Sequence, residues 1–302
     1  MSRSGFAVLV GRPNVGKSTL TNALVGQMVA ITSSRPQTTR HTIRGVRNVG
    51  EDQLILVDTP GIHRPRTLLG RRLNDLVLAT LTEVDVVVVC LPADQRIGPG
   101  DRFIAERLQG LRRQRLVMAV TKTDAVGPEH VAERLLEANE LAYELSLDVA
   151  EFVPVSALDG ANVDKLAHLL ARLLPEGPPL FGDQITDQPE RVVVAELIRE
   201  AALERLRDEL PHSLAVDIDE MAAREDRPED DPLIDVYATI YVERASQKPI
   251  VLGRGGQLLG QIGAQARGRI EALLGSRVYL NLHVKVAKDW QNNPAQLRRL
   301  GF

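Results

Sequence analysis

Short apolar runs alternate with amphipathic stretches over residues 5–174. GFAVLVG, QLILVDTPG, VDVVVVCL, RLVMAVTKTD and EFVPVSA are built largely of valine, leucine, isoleucine and alanine. Strands read this way when both faces of a parallel sheet are covered. The stretches between them predict helices, the last being ANVDKLAHLLARLL (161–174) after the turn ALDG. HTIRGVRNVG (41–50) alternates instead and meets QLILV across a short turn, which predicts one antiparallel hairpin. The expected fold class of this part is α/β, a mostly parallel doubly wound sheet.

A stretch rich in proline and glycine, PEGPPLFGDQITDQP (175–189), then breaks the alternation and reads as a linker. Beyond it the order changes. RVVVAELIREAALERLRDEL (191–210) has helical spacing, while SLAVDIDEMA (213–222) and LIDVYATIYVE (233–243) alternate as half-buried strands about the acidic turn AREDRPEDDP. IVLGRGGQLLGQIGAQARGRIEALLG (250–275) reads as a short helix, a glycine turn and a longer helix, and RVYLNLHVKVA (277–287) as a third strand. The order is α-β-β-α-α-β, an α+β unit. The expected division is a first domain over 1–175, a linker over 176–190 and a second domain over 191–302.

Cys90, the one cysteine, closes an apolar run and reads as a small buried thiol; it excludes an internal disulfide and suits a reducing compartment. No apolar run approaches the ~18 residues of a membrane span, and MSRSGFAVLVG lacks the features of a signal peptide. The expected location is cytoplasmic. The formal net charge of −3 conceals a polarity. Residues 1–184 are neutral overall, with 21 basic and 21 acidic side chains; residues 185–232 carry 6 and 15, and residues 233–302 carry 10 and 4. The basic C-terminal part suits a polyanion partner.

Gly11-Arg12-Pro13-Asn14-Val15-Gly16-Lys17-Ser18 fits G-x-x-x-x-G-K-[ST], with a strand before it and the helix STLTNALVG after it. Glycines there let backbone N–H groups, through Thr19, curl round a β-phosphate at a helix N-terminus. Lys17 would bridge the β- and γ-phosphates, and Ser18 would ligate Mg²⁺. Asp58-Thr59-Pro60-Gly61 ends a strand, so Asp58 can reach the metal through water and Gly61 can turn its N–H to a γ-phosphate. In the polar loop Gln37-Thr38-Thr39-Arg40 a threonine hydroxyl can complete the metal shell. Thr121-Lys122-Thr123-Asp124 ends a later strand, where Asp124 can accept two hydrogen bonds from guanine that adenine cannot offer. Ser156-Ala157-Leu158 ends the last strand, where a backbone N–H can meet the guanine carbonyl. GTP and GDP are the implied ligands.

The order GRPNVGKS, QTTR, DTPG, TKTD, SAL resembles the translation-factor-related P-loop GTPases and, within them, the Era group of bacterial ribosome-assembly GTPases with a C-terminal KH domain. The resemblance implies Thr39, rather than its neighbour Thr38, as the metal-binding threonine, so Lys17 and Thr39 are the candidate catalytic residues and Ser18, Thr39 and Asp58 the metal set. It also implies that Asn14 holds K⁺ beside the phosphates, with Asn14 as a shaper of the loop the alternative. Two departures stand out. The guanine motif begins with Thr121 where Asn is common, and Ile62 follows Gly61 where Ras-like enzymes place a water-orienting glutamine. Slow intrinsic hydrolysis is therefore expected. His63 reads as a mobile loop residue, not a base.

The second glycine turn lacks the Lys-[Ser/Thr] of a nucleotide loop. Gly253-Arg254-Gly255-Gly256 satisfies G-x-x-G between two helices, the KH signature for a single-stranded nucleic-acid backbone, and its place in α-β-β-α-α-β is that of a type II KH domain. Arg254, Lys248, Arg267, Arg269, Lys285 and Lys288 could form an electrostatic track, with Arg267 and Arg269 as solvated surface the alternative. Trp290, in the tail KDWQNNPAQLRRLGF, could stack on a base. Ile250, Val251, Leu252, Leu258, Leu259 and Ile262 line the groove or the core beneath it.

The resemblance implies a GTP-hydrolysing switch that binds 16S ribosomal RNA near its 3′ end and assists maturation of the 30S ribosomal subunit; a monomer is expected. Peripheral association with the inner face of the cell membrane is left open by the family and compelled by no segment here. The rival readings are an RNA-binding scaffold that holds nucleotide without functionally important turnover, and an ATPase or kinase with an appended RNA module; Asp124 and Ser156 argue against the latter.

Overall fold

The computed structural model describes all residues except Met1, 33–37, Arg112, 183–185, 187, 188, 207–209, 226, 229 and 230, together with the side chains of 211 and 212. Gln37 of the polar loop and parts of the predicted helix 191–210 and of the acidic turn fall outside the described residues. The chain separates into two compact units, the first drawn mainly from residues 1–187 and the second mainly from 188–302.

The first unit runs β1 (Ser4–Val10), α1 (Lys17–Val25), β2 (Ile43–Val49), β3 (Asp52–Asp58), α2 (Leu68–Glu83), β4 (Val86–Pro92), α3 (Pro99–Glu106), β5 (Arg115–Thr121), α4 (Pro128–Glu144), β6 (Val149–Pro154) and α5 (Val163–Leu173). Its sheet has the order β2-β3-β1-β4-β5-β6, with β2 antiparallel to β3 and every other pair parallel. The apolar runs are central strands because successive side chains serve opposite faces. Val86, Val88 and Cys90 pack toward the face that carries Leu166 and Leu170 of α5, whereas Val87, Val89 and Leu91 pack with Val77 of α2 and Ile104 of α3. Burial pushes the Cys90 thiol up to about 12, which makes it inert.

The parallel strands end together, so the loops after β1, β3, β5 and β6 gather at one edge of the sheet, where ligands of such folds bind. Residues just after α5 stay on this unit. Gln53, almost fully buried, accepts from the N–H groups of Leu180 and Phe181 at 2.8 Å each and donates to the Phe181 carbonyl at 2.9 Å.

The second unit runs α6 (Glu190–Arg205), β7 (Ala215–Ala223), β8 (Leu233–Val242), α7 (Lys248–Leu252), α8 (Gln257–Leu274), β9 (Arg277–Val286) and α9 (Pro294–Arg299). The sheet order is β7-β8-β9, antiparallel then parallel. Helix α6 ends at Arg205, earlier than its periodicity predicts. Leu206 takes an extended backbone (φ −91°, ψ 150°) that buries its side chain, and burial overrides helix propensity. Arg269 spans α8 to α6, with its guanidinium 2.7 Å from Glu200 and 2.9 Å from Glu204. It is an interhelical bridge rather than part of a free basic track.

Candidate nucleotide and RNA sites

The loop between β1 and α1 owes its shape to three backbone positions. Asn14 (φ 64°) and Gly16 (φ 95°) are left-handed, and a Cβ on Gly11 would stand 2.8 Å from the Cys90 carbonyl oxygen. The N-cap of α1 is Gly16, which brings no side chain to compete with an anion for the first amides. Lys17 is buried across the loop, its Nζ donating to the carbonyls of Arg12 at 2.9 Å and Gly11 at 3.3 Å. Burial pulls its pKa down, against the opposing pull of Asp58 and Cys90. The Arg12 side chain turns away from the loop, to Asp101 at 2.7 Å and Gln95 at 3.2 Å, so only its backbone faces a ligand.

The metal set predicted from sequence comes together. Ser18 Oγ donates to Asp58 Oδ2 at 2.6 Å, Thr39 Oγ1 donates to the same oxygen at 3.2 Å, and the two hydroxyls are 2.9 Å apart. Asp58 is fully buried, and its other oxygen, Oδ1, has no hydrogen-bond partner among the described residues. Burial raises the Asp58 pKa, with the Ser18 hydrogen bond and Lys17 opposing. An orphaned buried carboxylate oxygen beside two hydroxyls fits a hard, oxygen-seeking cation that keeps most of its waters. A cation at Asp58 and a phosphate at Lys17 would oppose both pKa shifts. Among the described residues no three His, Cys, Asp or Glu side chains form a metal cluster, so the cation's remaining ligands have to come from phosphate and water.

Gly61 closes against the loop so tightly that a Cβ there would lie 2.7 Å from Pro13 N. Thr59 Oγ1 donates to the Leu9 carbonyl at 2.8 Å, and Pro60 is buried beside it. Ile62 is buried in the core with Val8, Val57 and Val77, so its side chain points away from any phosphate. His63 is held rather than loose, its Nδ1 3.1 Å from the Gly61 carbonyl and its own carbonyl receiving Asn74 Nδ2 at 2.7 Å.

A cavity of about 250 Å³ lies beside Gly16, Thr19, Thr121, Lys122, Asp124, Ala157 and Leu158. Buried Ser156 donates to Asp124 Oδ1 at 2.6 Å and so orients the carboxylate. A larger hollow of about 860 Å³ lies along α5 and the edge strand β6; it contains none of these residues and is no rival for the phosphates.

Thr121 accounts for the first departure. Its hydroxyl donates to the Val15 carbonyl at 2.6 Å, which ties the end of β5 to the phosphate loop. Thr121→Val keeps the shape and leaves that buried carbonyl unpaired, at a cost of about 1–3 kcal/mol. GDP is expected to bind roughly 5- to 150-fold more weakly with guanine preference retained, and Thr121→Ser to restore it; competition titrations read both.

In the second unit Gly253, Gly255 and Gly256 all take positive φ (70°, 60° and 82°), and a Cβ on Gly253 would lie 2.6 Å from Leu258 Cβ. Arg254, Lys248, Arg267, Lys285 and Lys288 are exposed. Val251 and Ile262 are core, Leu252, Leu258 and Leu259 are half-buried, and Ile250 is exposed. Trp290 requires a correction. It is wholly buried, its Nε1 donates to the Ser213 carbonyl at 2.9 Å, and its ring stacks on Phe302 at 6.2 Å. A side chain so enclosed cannot stack on a base.

Residues 6–122 match the family described as 50S ribosome-binding GTPase, and residues 209–291 match the KH domain family. The chain is 62% identical to GTPase Era of Streptomyces coelicolor over 99% of this chain and 95% of that protein, and 61% identical to GTPase Era of Mycobacterium avium over 99% of both. Two solved structures share the fold across both units. One is an Aquifex aeolicus Era variant bound to GDP.AlF4-, with a TM-score of 0.92 and 38% identity over 99% of both chains. The other is Era in complex with MgGDPNP and a fragment of 16S ribosomal RNA, with a TM-score of 0.93 and 37% identity over 100% of this chain and 99% of that one. With phosphate loop, cation set, base pocket and KH turn in one chain, this protein belongs to the Era family of GTPases.

Proposed function

We propose that this protein is a GTP-hydrolysing switch that binds 16S ribosomal RNA near its 3′ end and assists maturation of the 30S subunit. The observation that carries the reading is one chain holding both the convergence of Ser18, Thr39 and Asp58 and the positive-φ turn at Gly253–Gly256. The 16S fragment in the related Era complex supports the choice of RNA. The nucleotide domain is taken as 1–175, the linker as 176–190 and the KH domain with its tail as 191–302. No helix among the described residues is long and apolar enough to cross a membrane, and peripheral attachment is left to experiment.

The site residues divide the work. Amides of residues 14–19 and Lys17 hold the β- and γ-phosphates, Ser18 and Thr39 present hydroxyls to Mg²⁺, and Asp58 receives its water. Mg²⁺, with K⁺ at Asn14, supplies charge that offsets the negative charge spread over the phosphate oxygens. Gly61 offers its N–H to the γ-phosphate. Asp124 and Ser156 select guanine. Ile62 cannot orient water, which suits slow turnover that a cation or a bound partner accelerates.

Turnover of GTP in Na⁺ or K⁺, with and without a short RNA from the 16S 3′ end, tests the reading. Stimulation by the RNA, abolished by Gly255→Asp with Gly256→Asp, is the expected result. RNA that binds without altering turnover supports instead two tethered modules.

A further inference from the structure

The first unit is neutral as a whole but sharply divided. Residues 1–74 carry 11 basic and 3 acidic side chains, whereas residues 75–184 carry 10 and 18. Much of the basic excess is already engaged. Arg3, Arg12 and Arg47 face Glu176, Asp101 and Asp164, while Lys17 and Arg40 are buried. Arg64, Arg66 and Arg71 differ from these. All three are exposed, none forms a salt bridge with a described residue, and no acidic residue occurs between Asp58 and Asp75.

Three exposed guanidiniums within eight residues of chain, with no acidic side chain among them, favour an anionic partner, and the planar fork of arginine suits phosphate oxygens. The segment that carries them is fastened at both ends. At its start, His63 sits on the Gly61 carbonyl and Asn74 holds the His63 carbonyl. At its end, Thr67 Oγ1 accepts from the Gly70 N–H at 3.1 Å, and Leu69 and Leu73 sink into the core. Arg64 follows Gly61 by three residues, so a turn of Gly61 toward a γ-phosphate acts on the start of this segment.

We propose that Arg64, Arg66 and Arg71 form a second contact surface for the phosphodiester backbone of single-stranded RNA, engaged when the nucleotide site holds a triphosphate. This rests on the RNA-binding function above. RNA is favoured over an anionic lipid surface because Leu69, Leu73, Val77 and Leu81 of α2 are buried, and its exposed leucines, Leu76 and Leu78, stand two positions apart on opposite sides of the helix, so no continuous apolar stripe borders the charges.

The test is binding of a labelled 16S 3′-end oligonucleotide to the full chain, with GDPNP or GDP, over a range of salt. In the GDPNP form, Arg64→Ala with Arg66→Ala and Arg71→Ala should lower the slope of log affinity against log salt by about 2, close to 0.7 for each single-strand phosphate that an arginine no longer neutralises. The GDP form should change little, and the three Arg→Lys replacements should keep the slope. Unchanged GDP affinity and unstimulated turnover confirm that the variants fold. A slope equal to that of the parent chain overturns the inference alone, as does a loss confined to binding of phosphatidylserine vesicles. A parent chain that fails to bind the RNA overturns the functional reading and this inference with it.

Discussion

Asp124→Asn is expected to weaken GTP binding by about 10²–10³-fold, the loss of two hydrogen bonds to a charged acceptor in an enclosed pocket. Guanine offers donors at N1 and its exocyclic amine; the asparagine amide would set a donor against them. Ser156, 2.6 Å from Asp124 Oδ1, can still donate to the remaining amide oxygen, so the side chain keeps its orientation. Xanthine replaces the exocyclic amine with an oxygen that accepts from the new amide. XTP should therefore bind the variant better than GTP does, and competition against a fluorescent nucleotide reads the exchange. Equal weakening of both nucleotides would mean that Asp124 shapes the pocket without reading the base.

Trp290→Ala is expected to destabilise the second unit by about 3–5 kcal/mol, the range for truncating a buried tryptophan, with the Ser213 carbonyl losing its donor as well. For a unit of this size that lowers the melting temperature by roughly 15 °C or more. GTP binding should persist, because the first unit has a core of its own. RNA binding should fall in step with the folded fraction. Thermal melts followed by circular dichroism, beside RNA titrations well below the transition, separate this from a stacking role. A stacking tryptophan would lower RNA affinity at unchanged stability.

The contrast between Asp124 and Trp290 marks how far the sequence could be read. Asp124, Ser18 and Asp58 were legible because phosphate and guanine chemistry demand fixed residue types at strand ends, and VDVVVVCL and its fellows locate those ends. The convergence of Ser18, Thr39 and Asp58 needs only the loops that these strands place. Trp290 lies in a polar tail with no periodicity, and its burial depends on Ser213 and Phe302, one of them 77 residues away. Thr121 was a departure from a motif until its partner, Val15, 106 residues earlier, gave it a task. Arg12 was placed by motif alone, whereas its side chain answers to Asp101, 89 residues on. Arg269 illustrates the same limit, since a helical arginine reads as solvated surface until Glu200 and Glu204 on another helix come beside it. Local rules reached the backbone of each site; side chains whose partners are distant in sequence were beyond them.

The affinity of the full chain for the 16S 3′-end RNA, measured with GDPNP and again with GDP, tests the central claim most directly. Linkage between the two sites requires the affinities to differ, and a coupling of about 1–3 kcal/mol corresponds to a 5- to 150-fold difference. Tighter RNA binding in the GDPNP form is the predicted result, with Gly255→Asp and Gly256→Asp abolishing binding in both. Equal affinities in the two nucleotide states would contradict it, leaving a GTPase and an RNA-binding module that share a chain without sharing a switch.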